Sequence, residues 1–523
     1  MIPAQGASAP AAGWRDGYVV DVPYIEPITS ELCPAWFSMA CVLNGQPPID
    51  RSRTLVWAEL GSGSGLSACM VAAANDGVEV WGCDFNPAHV ERARSLAAKA
   101  GLAHCTFDEA SFEDVARDDR IGPTEVDVVV VHGVYSWVSS QNQQHIVEFI
   151  RRRLRPGGLA YISYEVPTGW ASMVPIAEAM RLHTEADPRR LDLAFPEAVD
   201  AIHGLAEGGA RYFPLGPHES TQLASLGHAD VRYAVHEYLG SHFRPLMFDE
   251  VAEAMASARC SHIGSVNATD HLKSYWAPPA LQAILAGTPD PQLSQMLQDL
   301  IVQRPLRRDL FRRGLAPSDA LSQEGWLRAL EVTGLGKEVR DGATVGVAVG
   351  SVTLDAAYYR PLVDLLAGAP LRIEDLIAHR SELTVPDAAA TMSMLVGGSY
   401  AAPVAPRLPG GSSVASAGRL NRAFIHENRD GADHRSLIAP ATGSAIGSEY
   451  VEMLALGAFW DGMEPDPAAL SQQVLQTLAA QRRQIMDDGL LVPEPVEALT
   501  IIERRVRGGL ERLRGLFASL AIR

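Results

Sequence analysis

Six cysteines are spread through 523 residues. Cys33, Cys41, Cys69, Cys83, Cys105 and Cys260 form no CxxC pair and have no histidine at ligand spacing. Such scarcity signals neither a disulfide framework nor a structural zinc site, so no metal is expected and reduced thiols in the cytoplasm fit best. No apolar run approaches the roughly 18 residues of a membrane span, and "MIPAQGASAP" lacks the charged start and apolar core of a signal peptide. Basic residues are outnumbered, with 44 Lys and Arg against 62 Asp and Glu, a formal charge of −18. Phosphate contacts need clustered cations, so nucleic acid is not the expected partner. Internal repeats are lacking too. What remains is a chain long enough for about two to four domains, with 47% hydrophobic residues to fill their cores.

The most informative stretch is "LVWAELGSGSGLSACM", residues 55–70. Its apolar start suits a buried parallel strand, and "LSACMVAAA" suits a helix, so the order is strand, tight turn, helix. In doubly wound sheets that turn lies at the carboxyl end of the first strand. There glycine lets the backbone approach a ligand and the helix amino terminus offers free amides. The pattern is Glu-x-Gly-x-Gly-x-Gly, through Glu59, Gly61, Gly63 and Gly65, with Ser62 between the glycines. Position 66 is Leu66, so the third glycine of a dinucleotide site is missing, and no Gly-Lys-Ser or Gly-Lys-Thr supplies a P-loop. About 20 residues on, "GVEVWGCDFNP" brings Asp84 to where an acid takes two ribose hydroxyls. An alternative is that Asp84 only caps the helix starting near Pro87.

Downstream, "HVERARSLAAKAGL" reads as a helix and "AHCTFDEASFEDV" as a third strand whose loop places Ser111 and Phe112 against a cofactor base. "VDVVVVHGVYSWV" is a fourth strand with His132 and Gly133 at its end. "NQQHIVEFIRRRLRPGGLAYISYEV" is a helix, a Pro-Gly-Gly turn and a fifth strand. Five strands alternating with helices predict a parallel α/β sheet.

Taken together, "ELGSGSG", Asp84 and "LRPGGLAYIS" resemble the cofactor loop, ribose acid and fifth-strand turn of class I S-adenosyl-L-methionine-dependent methyltransferases. "HGVYSWV", "SYEVPTGW", "HEYLGSHFRPLMFDEVAEAM" and "QRPLRRDLFRRG" narrow the resemblance to members carrying a methyltransferase regulatory domain. Bacterial protein lysine methyltransferases of the rickettsial type are the best-known examples. The resemblance implies a Rossmann-like sheet, a mainly helical regulatory domain and a winged-helix-like C-terminal domain. It implies cofactor contacts from Glu59, Gly61, Ser62, Gly63, Gly65, Asp84, Phe85, Asn86, Ser111, Phe112, His132 and Gly133. Where relatives read Ser-Tyr-Asn and then Pro-Gly-Trp, this chain has Ser163, Tyr164, Glu165 and then Pro167, Thr168, Gly169, Trp170. An acid in place of an amide shifts the question from cofactor to acceptor.

Methyl transfer needs alignment and exclusion of water rather than a covalent nucleophile. A lysine acceptor must first lose a proton, which at pH 7 costs about 4–5 kcal/mol from a reference pKa near 10.4. A dry aromatic pocket lowers that cost. Tyr135, Tyr164 and Trp170, with Trp137, are the candidates to build it, and Glu165 to orient the amine or receive its proton. For Trp137 and Trp170 a plain core role is the alternative. The expected activity is methylation of a protein lysine; the alternatives are a small-molecule or surface-glycan acceptor, or a cofactor-binding scaffold without catalysis.

Punctuation by Pro and Gly divides the chain into an arm or lid over 1–50, with Tyr18, Tyr24 and Glu31 over the cofactor, and a methyltransferase domain over 51–216. A regulatory domain over 225–325 and a C-terminal unit over 330–523 follow. In that last unit "RIEDLIAHRSEL" carries as many acids as bases, favouring a protein contact over DNA. Residues 401–418 read as a loop. Leu499, Ile502, Val506, Leu510, Leu513, Phe517 and Leu520 give the tail one apolar helical stripe, for docking on the protein itself or on a second copy in a homodimer.

Overall fold

A computed structural model describes residues 17–20, 22, 24, 27–213, 215–315, 318–408, 411–487 and 490–522. Its centre is a seven-stranded sheet: β1 (Leu55–Leu60), β2 (Val78–Asp84), β3 (Cys105–Glu109), β4 (Val126–Val131), β5 (Leu154–Glu165), β6 (Cys260–Ser265) and β7 (Leu306–Arg313). The order is β3-β2-β1-β4-β5-β7-β6, with β1 to β5 parallel and β7 antiparallel to both its neighbours. The chain turns back on itself between β1 and β4, the crevice where doubly wound sheets bind ligands. Strands such as "VDVVVV" are buried along their whole length because helices cover both faces.

Helices α1 (Pro34–Leu43), α2 (Leu66–Ala74), α3 (Pro87–Ala100), α4 (Phe112–Arg117) and α5 (Ser140–Arg153) flank these strands. A helical cap follows β5: α6 (Pro167–Trp170), α7 (Val174–Glu185), α8 (Leu191–Glu207), α9 (Pro217–Leu226) and α10 (Val231–Tyr238). Met173, Met180, Phe195, Val199 and Val235 form its core. After α11 (Phe248–Ser257) the chain re-enters the sheet as β6 and β7. The arginine-rich β7 is buried because its charges are matched. Arg307 meets Asp299 and Asp309 at 2.6 Å each, and Tyr164 donates to Asp309 at 2.9 Å.

The segment expected as one unit over 330–523 contributes to separate cores. Short antiparallel strands at Glu331–Gly334, Leu371–Arg372 and Ala401–Pro403 pack with helices Ala356–Gly368, Ile373–His379 and Val385–Gly397. Helix Ser413–Arg429 instead lies on α2 and α3, and Leu420, Phe424 and Leu456 share one core with Met70 and Leu96. The dock is charged at its rim, where Glu427 accepts from Arg92 at 2.8 Å and from Lys99 and His434 at 2.9 Å. The stretch expected as a loop over 401–418 includes the strand Ala401–Pro403 and the start of helix Ser413–Arg429, where Asp76 accepts from the backbone of Ser413 at 2.9 Å. The tail is one helix, Pro495–Ser519, with Ile502, Val506 and Leu513 fully buried. No helix among the described residues is long and apolar enough to cross a membrane.

Candidate functional site

A cavity of about 420 Å³ opens at the carboxyl ends of β1, β2 and β4, inside the size range of small-molecule sites. The loop after β1 forms one wall. Gly61, Gly63 and Gly65 all take left-handed φ, at 73°, 51° and 75°. A Cβ on Gly61 would lie 2.7 Å from Val134 Cγ2, and one on Gly65 would lie 2.6 Å from Ala93 Cβ. The first glycine thus keeps the cavity open, while the third lets α3 pack close.

Asp84, at the end of β2, is buried and accepts from Gly63 N at 3.0 Å and Asn86 N at 2.8 Å. It does not cap α3; Asn86 does, accepting from Ala88 N at 3.0 Å. A carboxylate has about four acceptor positions; His89 Nδ1 also stands 3.4 Å from Oδ1, and Oδ2, which accepts from Gly63 N, keeps one for a ligand hydroxyl. Ser111 is occupied in a reciprocal capping box with Asp114, and Phe112 faces Gly61.

His132 sits where β4 ends. Its Nε2 meets Thr29 Oγ1 at 3.1 Å and its Nδ1 meets the Tyr161 hydroxyl at 3.0 Å. Burial, with Arg308 nearby, pushes its pKa down to about 4, so the ring is neutral at pH 7. Gly133 N donates to Ser163 Oγ at 2.8 Å, fixing the turn that leads to Trp137.

Ten of the twelve residues expected at the cofactor line this cavity: Glu59, Gly61, Ser62, Gly63, Asp84, Phe85, Ser111, Phe112, His132 and Gly133. Gly65 and Asn86 act just behind it. Tyr18 and Tyr24 of the amino-terminal arm line it too, whereas Glu31 meets Arg308 instead. Sequence reasoning missed the α5 entrance, where Gln141, Asn142 and His145 reach the cavity from the first helical turns, and also His89. The amphipathic helix after "SWV" was the available signal.

The four expected acceptor residues do not converge. Strand pleating turns Tyr164 to the sheet face opposite Ser163 and Glu165; it is fully buried against Asp309. Tyr135 is buried toward a separate groove between α5 and α11. Trp170 packs into the helical cap, 4.8 Å from Phe243 and 5.8 Å from Tyr238 by ring centres. Glu165 alone reaches toward the cavity, through Trp137. Its carboxyl lies beside the Ser136 and Trp137 side chains, which favour its charged form, and its backbone amide donates to Ser136 Oγ at 3.0 Å. Burial raises its pKa to about 7.

Among the described residues the cavity is lined by three carboxylates, Glu59, Asp84 and Glu113, and by no lysine or arginine. A dinucleotide pyrophosphate would find no cation there, whereas a ribose beside a sulfonium and an ammonium finds acceptors and negative charge. The residues present therefore fit S-adenosyl-L-methionine.

Residues 58–160 match a family model described as a methyltransferase domain, and residues 230–313 one described as a predicted methyltransferase regulatory domain. An uncharacterised protein of Synechocystis is 28% identical over 491 residues, 93% of this chain and 95% of that protein. One of Rickettsia prowazekii is 28% identical over 224 residues, 42% of this chain and 86% of its own length. The fold matches the structure of PKMT2 from Rickettsia typhi in complex with AdoHcy. The TM-score is 0.68 at 18% identity, covering 95% of this chain and 99% of that one. The negatively charged cleft and the domain over residues 58–160 agree on the chemistry: this chain is a class I S-adenosyl-L-methionine-dependent methyltransferase that carries a methyltransferase regulatory domain.

Proposed function

We propose that the enzyme methylates the side-chain amine of a protein lysine, with Glu165 receiving the proton that the amine must lose. The observation that carries this reading is the carboxyl of Glu165, buried beside Ser136 and Trp137 where Trp137 lines the cavity. A carboxyl titrating near 7 is matched to proton transfer at neutral pH. When bound, S-adenosyl-L-methionine supplies a methyl group activated by its sulfonium. Asp84 and Glu59 hold the polar ends of that cofactor, the neutral His132 adds no repelling charge, and Trp137 and Tyr24 exclude water from the acceptor side. The helices over 356–397 with their antiparallel strands support a winged-helix-like module, and its mixed charges suit a protein substrate.

The test is Glu165→Gln, which preserves shape and removes the charge. Turnover on a lysine-containing protein acceptor should fall by about ten- to a hundredfold, with S-adenosylhomocysteine affinity unchanged. Mass spectrometry should find the added methyl groups on lysine. Methyl groups only on sugar hydroxyls or on a small metabolite would overturn the lysine reading and leave the methyltransferase standing.

A further inference from the structure

The segment after α10 is laid along the end of β5 and the turn after β4 by two backbone hydrogen bonds. Arg244 N donates to Ser136 O at 2.9 Å and Leu246 N to Glu165 O at 2.8 Å. Phe243 stacks on Trp137 with ring centres 4.3 Å apart, and a Cβ on Gly240 would lie 3.2 Å from the Trp137 ring. This seam brings α10 of the regulatory domain against the acceptor end of the cavity. Glu237, half-buried on α10, lies beside the Tyr233 side chain and close enough to Glu165 for the two charges to repel. Tyr233 stacks on Tyr24, a cavity residue, at 6.4 Å. The neighbouring His236 donates from Nε2 to Val22 O at 2.8 Å. Its Nδ1 is a buried acceptor with no hydrogen-bond partner among the described residues.

We propose that Glu165 of the methyltransferase sheet and Glu237 of the regulatory domain form one composite subsite, walled by Trp137, Tyr24 and Tyr233, that binds a primary aliphatic ammonium and takes up its proton. The inference rests on the amine reading above and extends it, because it makes the regulatory domain part of the acceptor site. No lysine or arginine pairs with either carboxyl among the described residues. The titratable groups facing the pair are Tyr233 and Tyr238, both on α10. Burial and mutual repulsion lift Glu237 to about 8, beside Glu165 at about 7. At neutral pH two such carboxyls hold between one and two protons, and a bound cation relieves the repulsion that keeps them there. In the reaction an N–H bond of the ammonium breaks and its proton goes to a carboxylate oxygen. The freed lone pair forms the N–C bond to the methyl carbon as the C–S bond breaks, its electron pair going to sulfur.

The experiment uses the full chain saturated with S-adenosylhomocysteine, titrated with n-butylammonium at pH 7 by calorimetry in buffers of different ionisation heat. 1-Butanol is the uncharged control. The wild type should bind the amine and not the alcohol, releasing about one proton per amine bound. Glu237→Gln and Glu165→Gln should each weaken the amine by about tenfold or more and remove most of the proton release. S-adenosylhomocysteine affinity is the measure that both variants are folded. Amine binding without proton release in the wild type, or undiminished amine affinity in Glu237→Gln, overturns the composite subsite, and the first of these requires no variant to fold. A chain that binds S-adenosylhomocysteine but no amine also overturns it. Lysine methylation that survives either result would leave the proposed function intact, so the two failures are distinguishable.

Discussion

Replacing Asp84 by alanine tests the cofactor site at the residue that joins its two halves. In the structure this carboxylate accepts from Gly63 N at 3.0 Å and Asn86 N at 2.8 Å, so it braces the glycine loop before any ligand arrives. We propose its remaining acceptor capacity for the ribose hydroxyls. Hydrogen bonds to a charged group contribute about 1.5–3 kcal/mol each, and ligand groups regain part of that from water. A net loss of about 2–3 kcal/mol is therefore expected, a 30- to 150-fold rise in Kd by roughly 1.4 kcal/mol per factor of ten. The same change orphans two buried amides, so the unfolding free energy should fall by about 2–4 kcal/mol. Asp84→Asn keeps one acceptor oxygen and should lie between alanine and wild type on both scales. Calorimetry with S-adenosylhomocysteine reads the first quantity and urea unfolding the second. A folded Asp84→Ala chain with Kd within about twofold of wild type, a shift under roughly 0.5 kcal/mol, would refute the ribose assignment and the bracing argument with it.

Gly61→Ala puts a methyl group 2.7 Å from Val134 at a left-handed φ of 73°. It should cost about 1–3 kcal/mol of stability and weaken S-adenosylhomocysteine, as thermal shift and calorimetry would record. Glu165 has a folded-state pKa of about 7, above its unfolded value. Its protonated form favours the native state, so wild type should lose about 3 kcal/mol relative to Glu165→Gln between pH 4.5 and 7.5 in urea unfolding. Glu427 is held well below the usual carboxylate range by His434, Arg92 and Lys99 against the effect of burial. Glu427→Gln should cost about 1–2 kcal/mol, discounted because Arg92 and Lys99 are partly exposed, and the difference should vanish as acid protonates the carboxylate.

What the sequence disclosed was local. Gly61, Gly63 and Asp84 could be read because a strand, a turn and the next strand's end lie within thirty positions, and the backbone conformation they need restricts the residue type. His132 and Gly133 were placed by the four valines before them. The acceptor side was harder because neighbours on a strand point opposite ways. Tyr164 and Glu165 are adjacent in the chain, yet one is sealed against Asp309 and the other turns toward Trp137. Hydropathy also hid β7, since "LRRDLFRR" looks like solvated surface until Asp299 and Asp309 are known to neutralise its arginines. The dock of helix Ser413–Arg429 on α2 and α3 joins residues more than three hundred positions apart, and no periodicity in either segment announces the other.

The register of β7 changes what regulation can mean here. Seven residue pairs, from Leu159 with Arg312 to Glu165 with Leu306, join the regulatory domain to the last parallel strand of the catalytic sheet. A chain cut before α9 would leave that strand with a bare edge, ready to pair with any other extended segment. The domain cannot lift away without tearing out the hydrogen bonds that end at Glu165. Any control exerted through this domain has to act as tension does on a woven edge, by displacements smaller than one step of the β5–β7 register, while the fabric itself stays whole.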